Sequence, residues 1–359
     1  MIDRKSVLLG AGNVFIASGA LTMIGSEAEK FGKKVLVVAG TKTWKNLEKP
    51  VVASFFGSGC QFEYMHFSGY CTDSTACKIA EQARLFSAEV IVGIGGGSCV
   101  DASKWAANKL DIPCITVPSV ASTCASTVPL CVIYDDTGSC LGPSFIKGEV
   151  PTVIIDTDVI ANAPERLLAS GIIDALAKRP EVYFSLKNEV DIEKNILFSM
   201  GYAVSEFTWK ALIEQGPAAI ESVKRKKSDK NLEEVICLSI ILTGLVSNLA
   251  SGGKQLALAH AMYDCVTTLF KSQRKNFFHG EIVGCGIPAQ MQLNGREKEE
   301  INAFKSYATS IGAPVCFADL GINFTESNLD SIIDYLSRHL HITDKELIKT
   351  IRKCLIDQC

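Results

Sequence analysis

Up to residue 156 short apolar runs alternate with stretches of helical periodicity, and beyond it the short runs stop. That change of pattern limits the fold more than any other feature. KKVLVVAG (Lys33–Gly40), QFEYMHF (Gln61–Phe67), EVIVGI (Glu89–Ile94), PCITVP (Pro113–Pro118) and PTVIIDT (Pro151–Thr157) read as strands. LCVIYDDTGSCLG (Leu130–Gly142) reads as a hairpin turning at Asp135–Gly138. One helix is expected from Thr72–Ser74, capped by Asp73 or Ser74, to about Phe86, and another from Val100 to about Leu110. Strands alternating with helices imply a parallel sheet covered on both faces. After Asp156 the apolar residues recur at helical spacing in long blocks, such as LEEVICLSIILTGLVSNLA (Leu232–Ala250) and KQLALAHAMYDCVTTLF (Lys254–Phe270). The expected architecture is an α/β domain over residues 1–160 followed by an all-helical domain over 161–359.

A chain of 359 residues has room for two such units at roughly 100–200 residues each. The net charge of −3 offers no basic excess for nucleic acid or an anionic membrane. The basic cluster Lys224–Lys230 is followed at once by Glu233 and Glu234 and reads as a solvated loop. Fourteen cysteines never fall in C-x-x-C spacing, and no charged-then-apolar leader opens the chain. Free thiols packed as small hydrophobes in a reducing cytoplasm are expected. No stretch approaches the roughly 18 uncharged apolar residues of a membrane span.

In VIVGIGGGSCVDASKWAA, three consecutive glycines separate a buried strand from a helix. Residues without a β-carbon let backbone N–H groups approach a phosphate, and a helix N-terminus adds partial positive charge. Gly93-x-Gly95-x-x-Ser98 lacks the last glycine of the dinucleotide fingerprint, so a tight turn without a ligand remains an alternative. Ser98, Asp101 and the hydroxyl-rich SVASTCAST loop (Ser119–Thr127) lie where open α/β sheets bind ligands.

Five histidines are present. His339 and His341 stand among charges and read as surface residues, and His66 ends a strand as a structural residue. His260 sits inside an apolar helix and His279 opens another, while Asp174 is an acid amid apolar neighbours in LLASGIIDALAK. Each has a plain reading, as a satisfied core residue or a cap. Together they form a set of one carboxylate and two imidazoles that would leave zinc an open position. Glu281, two residues after His279, is either an orienting group or a solvated helix-start acid.

Five separated motifs, GIGGGSCVDASKWA, VPSVASTCASTVPLCVIYDDTG, VIIDTDVIANAPERLLASGIIDALAK, LALAHAMYD and HGEIVGCGIPAQ, together resemble the glycerol dehydrogenase family. That family belongs to the superfamily of iron-containing alcohol dehydrogenases and dehydroquinate synthases. The resemblance runs from about Leu36 to Leu293. It implies a Rossmann-like N-terminal domain, a helical C-terminal domain as in dehydroquinate synthases, and a site between them. It places Asp174, His260 and His279 on the metal ligands. Gly96, Gly97, Ser98 and Asp101 fall on the pyrophosphate turn, and Ser119, Ser122, Leu130 and Tyr134 flank the nicotinamide half. The implied reaction is hydride transfer between a zinc-bound polyol or hydroxy compound and NAD or NADP. A small-molecule substrate and a homo-oligomer are implied as partners. Lys178 stands where four-ligand relatives carry a further histidine, which favours zinc over Fe²⁺.

Two departures qualify the resemblance. Cys124 replaces an aspartate near the substrate, which weakens the case for glycerol itself. Gly40, Thr41 and Lys42 occupy the place of an acid that grips the adenosine ribose, so NADP is expected to be accepted. The alternatives are a glycerol-1-phosphate or hydroxycarboxylate dehydrogenase, with Lys178 or Lys147 meeting the anion. Thr123, where the glycerol-phosphate branch carries histidine, counts against the first. A dehydroquinate synthase-like lyase is disfavoured by aspartate rather than glutamate as first ligand.

Overall fold

The computed structural model describes residues 9–188, 196–250 and 257–358. Its first half contains β1 (Ala11–Ala17), α1 (Ile24–Glu29), β2 (Lys34–Gly40), α2 (Thr41–Ser54), β3 (Gln61–Phe67) and α3 (Asp73–Phe86). There follow β4 (Val90–Gly95), α4 (Gly97–Leu110), β5 (Cys114–Pro118), β6 (Leu130–Tyr134), β7 (Cys140–Phe145) and β8 (Val150–Asp156). Six strands make a parallel sheet in the order β1-β8-β5-β4-β2-β3, and β6 and β7 form a separate antiparallel hairpin.

Side-chain alternation along the strands builds the layers. Leu36 and Val38 of β2 and Ile91 of β4 pack with Ala76, Ala80, Ala102 and Ala106 of α3 and α4. Val35, Val37, Val90 and Val92 face the other way, onto Ile24, Ala28 and Val51 of α1 and α2. Every residue of β4 is buried, as expected for a central strand covered twice.

β1 and α2 escape the sequence pattern. β1 carries only Val14–Ile16 as an apolar run and is a half-exposed edge strand. The sequence TKTWKNLEKP of α2 is largely polar and contains Pro50. Two helix starts also differ from expectation. α3 is capped by Thr72, whose hydroxyl accepts from Thr75 N at 3.0 Å, so neither Asp73 nor Ser74 is the cap. α4 starts at Gly97 rather than Val100, because Val100 N already bonds Gly96 O at 3.1 Å.

Beyond β8 the described residues are helical: α5 (Thr157–Ala161), α6 (Glu165–Asn188), α7 (Ile196–Lys224), α8 (Lys230–Ile236), α9 (Thr243–Leu249) and α10 (Leu258–Leu269). Then come α11 (Lys271–Arg274), α12 (His279–Leu293), α13 (Lys298–Ser310), α14 (Glu326–His339) and α15 (Lys345–Asp357). A π-helical turn, Cys237–Leu242, joins α8 to α9. The run Lys230–Leu249, with mean hydropathy 1.7, is long and apolar enough to cross a membrane, which corrects the expectation that no stretch approaches that length. Leu232, Val235, Ile236 and Ile240 are fully buried inside the helical half, and that burial accounts for the composition.

Two glycines fix how the helices meet. A β-carbon on Gly171 of α6 would lie 1.8 Å from the carbonyl oxygen of Ala121, in the loop after β5. One on Gly280 of α12 would lie 1.8 Å from the carbonyl oxygen of Ser170. Backbone therefore touches backbone along a seam from the β5 loop through α6 to α12.

Candidate active site

Next to the seam lies a cleft of about 590 Å³, within the range of small-molecule and cofactor sites. Gly97, Ser98, Asp101, Ser122, Cys124, Leu130 and Tyr134 line it from the α/β half, and Asp174, His260 and His279 from the helical half. Of the residues the resemblance places on the metal, pyrophosphate and nicotinamide positions, Gly96 and Ser119 fall outside its wall. Gly96 is the residue before α4, and Ser119 N donates to Gly95 O at 2.9 Å.

None of Gly95, Gly96 and Gly97 has a positive φ. Their need is steric: a β-carbon on Gly95 would lie 2.7 Å from Cys99 Cβ, and one on Gly97 would lie 3.2 Å from Thr123 Oγ1. In the first turn of α4, Cys99 N and Val100 N bond Gly96 O at 3.0 and 3.1 Å, while Gly97 and Ser98 line the cleft at the helix N-terminus. Asp101 is buried, its Oδ2 accepting from Val132 N at 3.0 Å and its Oδ1 lying 3.0 Å from Lys104 Nζ. Lys104, unmarked in the sequence reading, is fully buried. Its ammonium donates to the carbonyls of Ala125 (2.7 Å), Val128 (3.0 Å) and Leu130. One cation thereby ties the glycine helix to the loop and the hairpin.

The helical wall is made of side chains. Asp174 lies one turn after Gly171, so the seam delivers it to the cleft. His279 Nε2 stands 3.1 Å and His260 Nε2 3.3 Å from the same oxygen, Asp174 Oδ1. The three ligand atoms lie within 4.8 Å of one another. That carboxylate oxygen is buried without a hydrogen-bond partner, a costly state unless a cation meets it. Burial opposes its ionisation, but the His279 and His260 rings outweigh burial and hold the carboxyl well below the usual carboxylate range.

Glu181, missed in the sequence, orients the cluster. Its carboxylate accepts from His260 Nδ1 at 2.8 Å and, through Oε1, from His260 N at 3.0 Å. Burial alone would lower the imidazole pKa of His260; Glu181 and Asp174 overcome that and lift it to about 9. The signal was available, since Glu181 follows Asp174 by seven residues, two turns along one helix face.

Glu281 is neither solvated nor bonded to a ring. It is buried, pairs bidentately with Arg166 of α6 (2.5 and 2.8 Å) and accepts from Phe278 N at 2.7 Å. It holds the start of α12, and so the backbone of His279. Tyr263 meets the His279 ring edge-on at 4.2 Å between centroids, and its hydroxyl lies 2.8 Å from that of Tyr134.

Two further expectations change. Lys147 lies outside the cleft, 3.6 Å from Asp111, so it is no candidate for the substrate anion. His339 is half-buried and bonds Asp264 at 3.0 Å rather than facing solvent freely. His66, on β3, bonds Thr41 at 2.7 Å. The thirteen cysteines among the described residues are free thiols, and burial pushes Cys99 and Cys114 up to about 12, consistent with packing.

A parallel sheet and a helical half, meeting at a cleft with a three-donor cluster, define a class that comparison with known proteins makes specific. Residues 11–156 match the model of the iron-containing alcohol dehydrogenase family. A glycerol dehydrogenase of Thermotoga maritima is 31% identical over 309 residues, covering 85% of this chain and 82% of that protein. A glycolaldehyde reductase of Halobacterium salinarum is 30% identical over 315 residues, 87% and 85% of the two chains. The crystal structure of glycerol dehydrogenase from Schizosaccharomyces pombe superposes with a TM-score of 0.85 at 26% identity, covering 99% of this chain and 91% of that one. The chain belongs to the glycerol dehydrogenase family, within the iron-containing alcohol dehydrogenase superfamily. It is a metal-dependent alcohol dehydrogenase, acting on CH–OH groups.

Proposed function

We propose that this enzyme is a zinc-dependent, nicotinamide-linked dehydrogenase of a small hydroxy compound, with Asp174, His260 and His279 as the metal ligands. The observation that carries the proposal is the buried Asp174 oxygen without a hydrogen-bond partner, facing two imidazole nitrogens in the wall of the cleft. Two nitrogens and one oxygen suit zinc, and Lys178 of α6 stands where a fourth ligand would be needed for an iron site of the four-ligand kind. When bound, the cation supplies Lewis acidity to the alcohol oxygen. Glu181 accepts the Nδ1 proton of His260, fixing the tautomer that leaves Nε2 free to coordinate.

The first-turn N–H groups at Gly97 and Ser98 would seat the cofactor pyrophosphate. Ser122, Leu130 and Tyr134 would border its nicotinamide half, with Cys124 beside the substrate. At the adenosine end, Gly40 caps α2, Lys42 is exposed and no carboxylate stands among residues 40–42, so a 2′-phosphate is admitted. Steady-state kinetics with both cofactors test this; a hundredfold preference for NAD excludes it. His260→Ala should abolish turnover and metal retention while the dissociation constant of the reduced cofactor stays within about threefold of wild type. Normal turnover in that variant would remove the metal from the reaction.

A further inference from the structure

Four carboxylates line the cleft, and each already meets a base. Asp101 pairs with Lys104, Asp174 with the two imidazoles, Glu181 with His260, and Asp264 with His339. Two cations of the same wall, Lys178 and Arg274, have no carboxylate at ion-pair distance among the described residues. Arg274 is engaged in other ways: it lies over the rings of Tyr70 and Tyr263 and donates to the Tyr263 hydroxyl (3.2 Å) and to Phe277 O (3.3 Å). Among the described residues Lys178 has only His260 Nε2 as a hydrogen-bonding neighbour, at 3.4 Å.

Lys178 follows Asp174 by four residues on α6, so the two share a helix face. Its ammonium stands beside the nitrogen that faces Asp174, at the rim of the cluster. With a divalent cation there, Asp174 and Glu181 balance its two charges and the charge of Lys178 is left over. Like charges this close repel unless an anion lies between them. A neutral diol brings no such anion. A 2-hydroxy acid does, because its carboxylate is attached to the carbinol carbon itself.

We propose that Lys178 is a specificity-determining residue which binds the carboxylate of a small 2-hydroxy acid, or of the 2-oxo acid in the reverse direction, while the carbinol oxygen sits at the Asp174–His260–His279 cluster. This rests on the dehydrogenase reading and narrows its substrate class. In the oxidation, the C2–H bond breaks with its electron pair passing to the oxidised nicotinamide. The hydroxyl proton leaves to solvent, and the 2-oxo acid forms. One ammonium matches the single charge of a carboxylate. A phosphate dianion would need further free donors, and Arg274 is committed to Tyr263 and Phe277.

The test uses zinc-loaded enzyme and a matched pair of substrates, 2-hydroxybutyrate and butane-1,2-diol, with glycerol 1-phosphate as a third. Wild type should favour the acid over both. Lys178→Met should lower the acid-to-diol ratio of kcat/KM by at least about 30-fold, the usual cost of removing one partner of a buried charged contact. Lys178→Arg should restore most of that ratio. A readout independent of turnover is the affinity of oxamate for the enzyme–reduced cofactor complex, followed by nicotinamide fluorescence. It should be lost in the Met variant and kept in the Arg variant. Wild-type preference for the diol or for glycerol 1-phosphate overturns the proposal, and needs no variant to fold. An equal fall on acid and diol in Lys178→Met overturns it too, because the lysine would then serve only to support His260. Failure of the underlying dehydrogenase reading looks different: zinc-loaded wild type would oxidise none of the three.

Discussion

On the sheet side of the cleft the glycine turn offers backbone from one uninterrupted strand–glycine–helix segment, Val90 to Leu110, whereas on the helical side each functional group is a side chain steadied by another. The first wall is local in sequence. The second is assembled from α6, α10 and α12, whose key residues are separated by 86 positions between Asp174 and His260 (260 − 174) and 19 between His260 and His279 (279 − 260). Backbone walls tolerate changes of side chain so long as space is kept. Side-chain walls depend on the elements that carry them.

The sharpest way to break this contrast is a β-carbon on the seam. Gly280→Val should cost at least about 5 kcal/mol or prevent folding, since the added atom meets the Ser170 carbonyl at 1.8 Å. Gly96→Ala, whose β-carbon would sit 3.6 Å from Val120 Cγ2, should cost less than about 1 kcal/mol. Chemical denaturation of both variants reads the difference; similar losses would mean that the glycine turn and the helical seam are equally constrained.

Lys104→Met comes next, at about 3–4 kcal/mol, because Asp101 and the three carbonyls would be left without their common cation. It should also weaken cofactor binding, since the loop and hairpin bordering the cleft lose their tie to α4. Full stability of the variant in a urea melt would mean that the ammonium is dispensable.

Glu181→Gln sharpens the comparison on the helical side. It should weaken zinc binding about 10–100-fold, with unfolding midpoints little changed, as competition with a chromogenic chelator would show. Unaltered zinc affinity would reduce Glu181 to a cap of α10.

The smallest effect concerns pH. The hydrogen bond to Asp264 raises the His339 pKa above its usual value, outweighing burial. The pair's contribution is therefore complete below about pH 6.5, the unfolded value, and is lost as pH rises through the elevated folded value. Half-exposed, it should amount to less than about 1 kcal/mol. His339→Gln should then lower unfolding free energy at pH 6 more than at pH 9; equal losses at the two values would show that charge plays no part.

The contrast between the walls also explains what could be read in advance. The buried strands and the glycine turn are visible because strand periodicity and glycine clustering are local signals. β1 was hidden because an edge strand needs little apolar surface, and α2 because its face is polar and carries a proline. Asp174, His260 and His279 stood out as polar residues in apolar surroundings, but only their motifs in company suggested that they meet. Lys104 and Glu181 look like ordinary surface residues in the sequence; what marks them is burial, which depends on partners far along the chain. The seam glycines were unreadable for the same reason, since the atoms they make room for belong to other elements.

A contact with no side chain in it offers no rotamer to adjust. Along the Gly171 and Gly280 seam, α6 and α12 can neither slide nor swivel without their main chains colliding, so the spacing of Asp174 and His279 is set when the protein folds. A β-carbon on Gly286 of α12 would likewise lie 2.7 Å from Ala259 Cα, so α10 is held close beside His260 as well. With Asp174, His260 and His279 as the proposed ligands, exchange of one divalent metal for another should register in the two imidazole rings, leaving the helices around them unmoved.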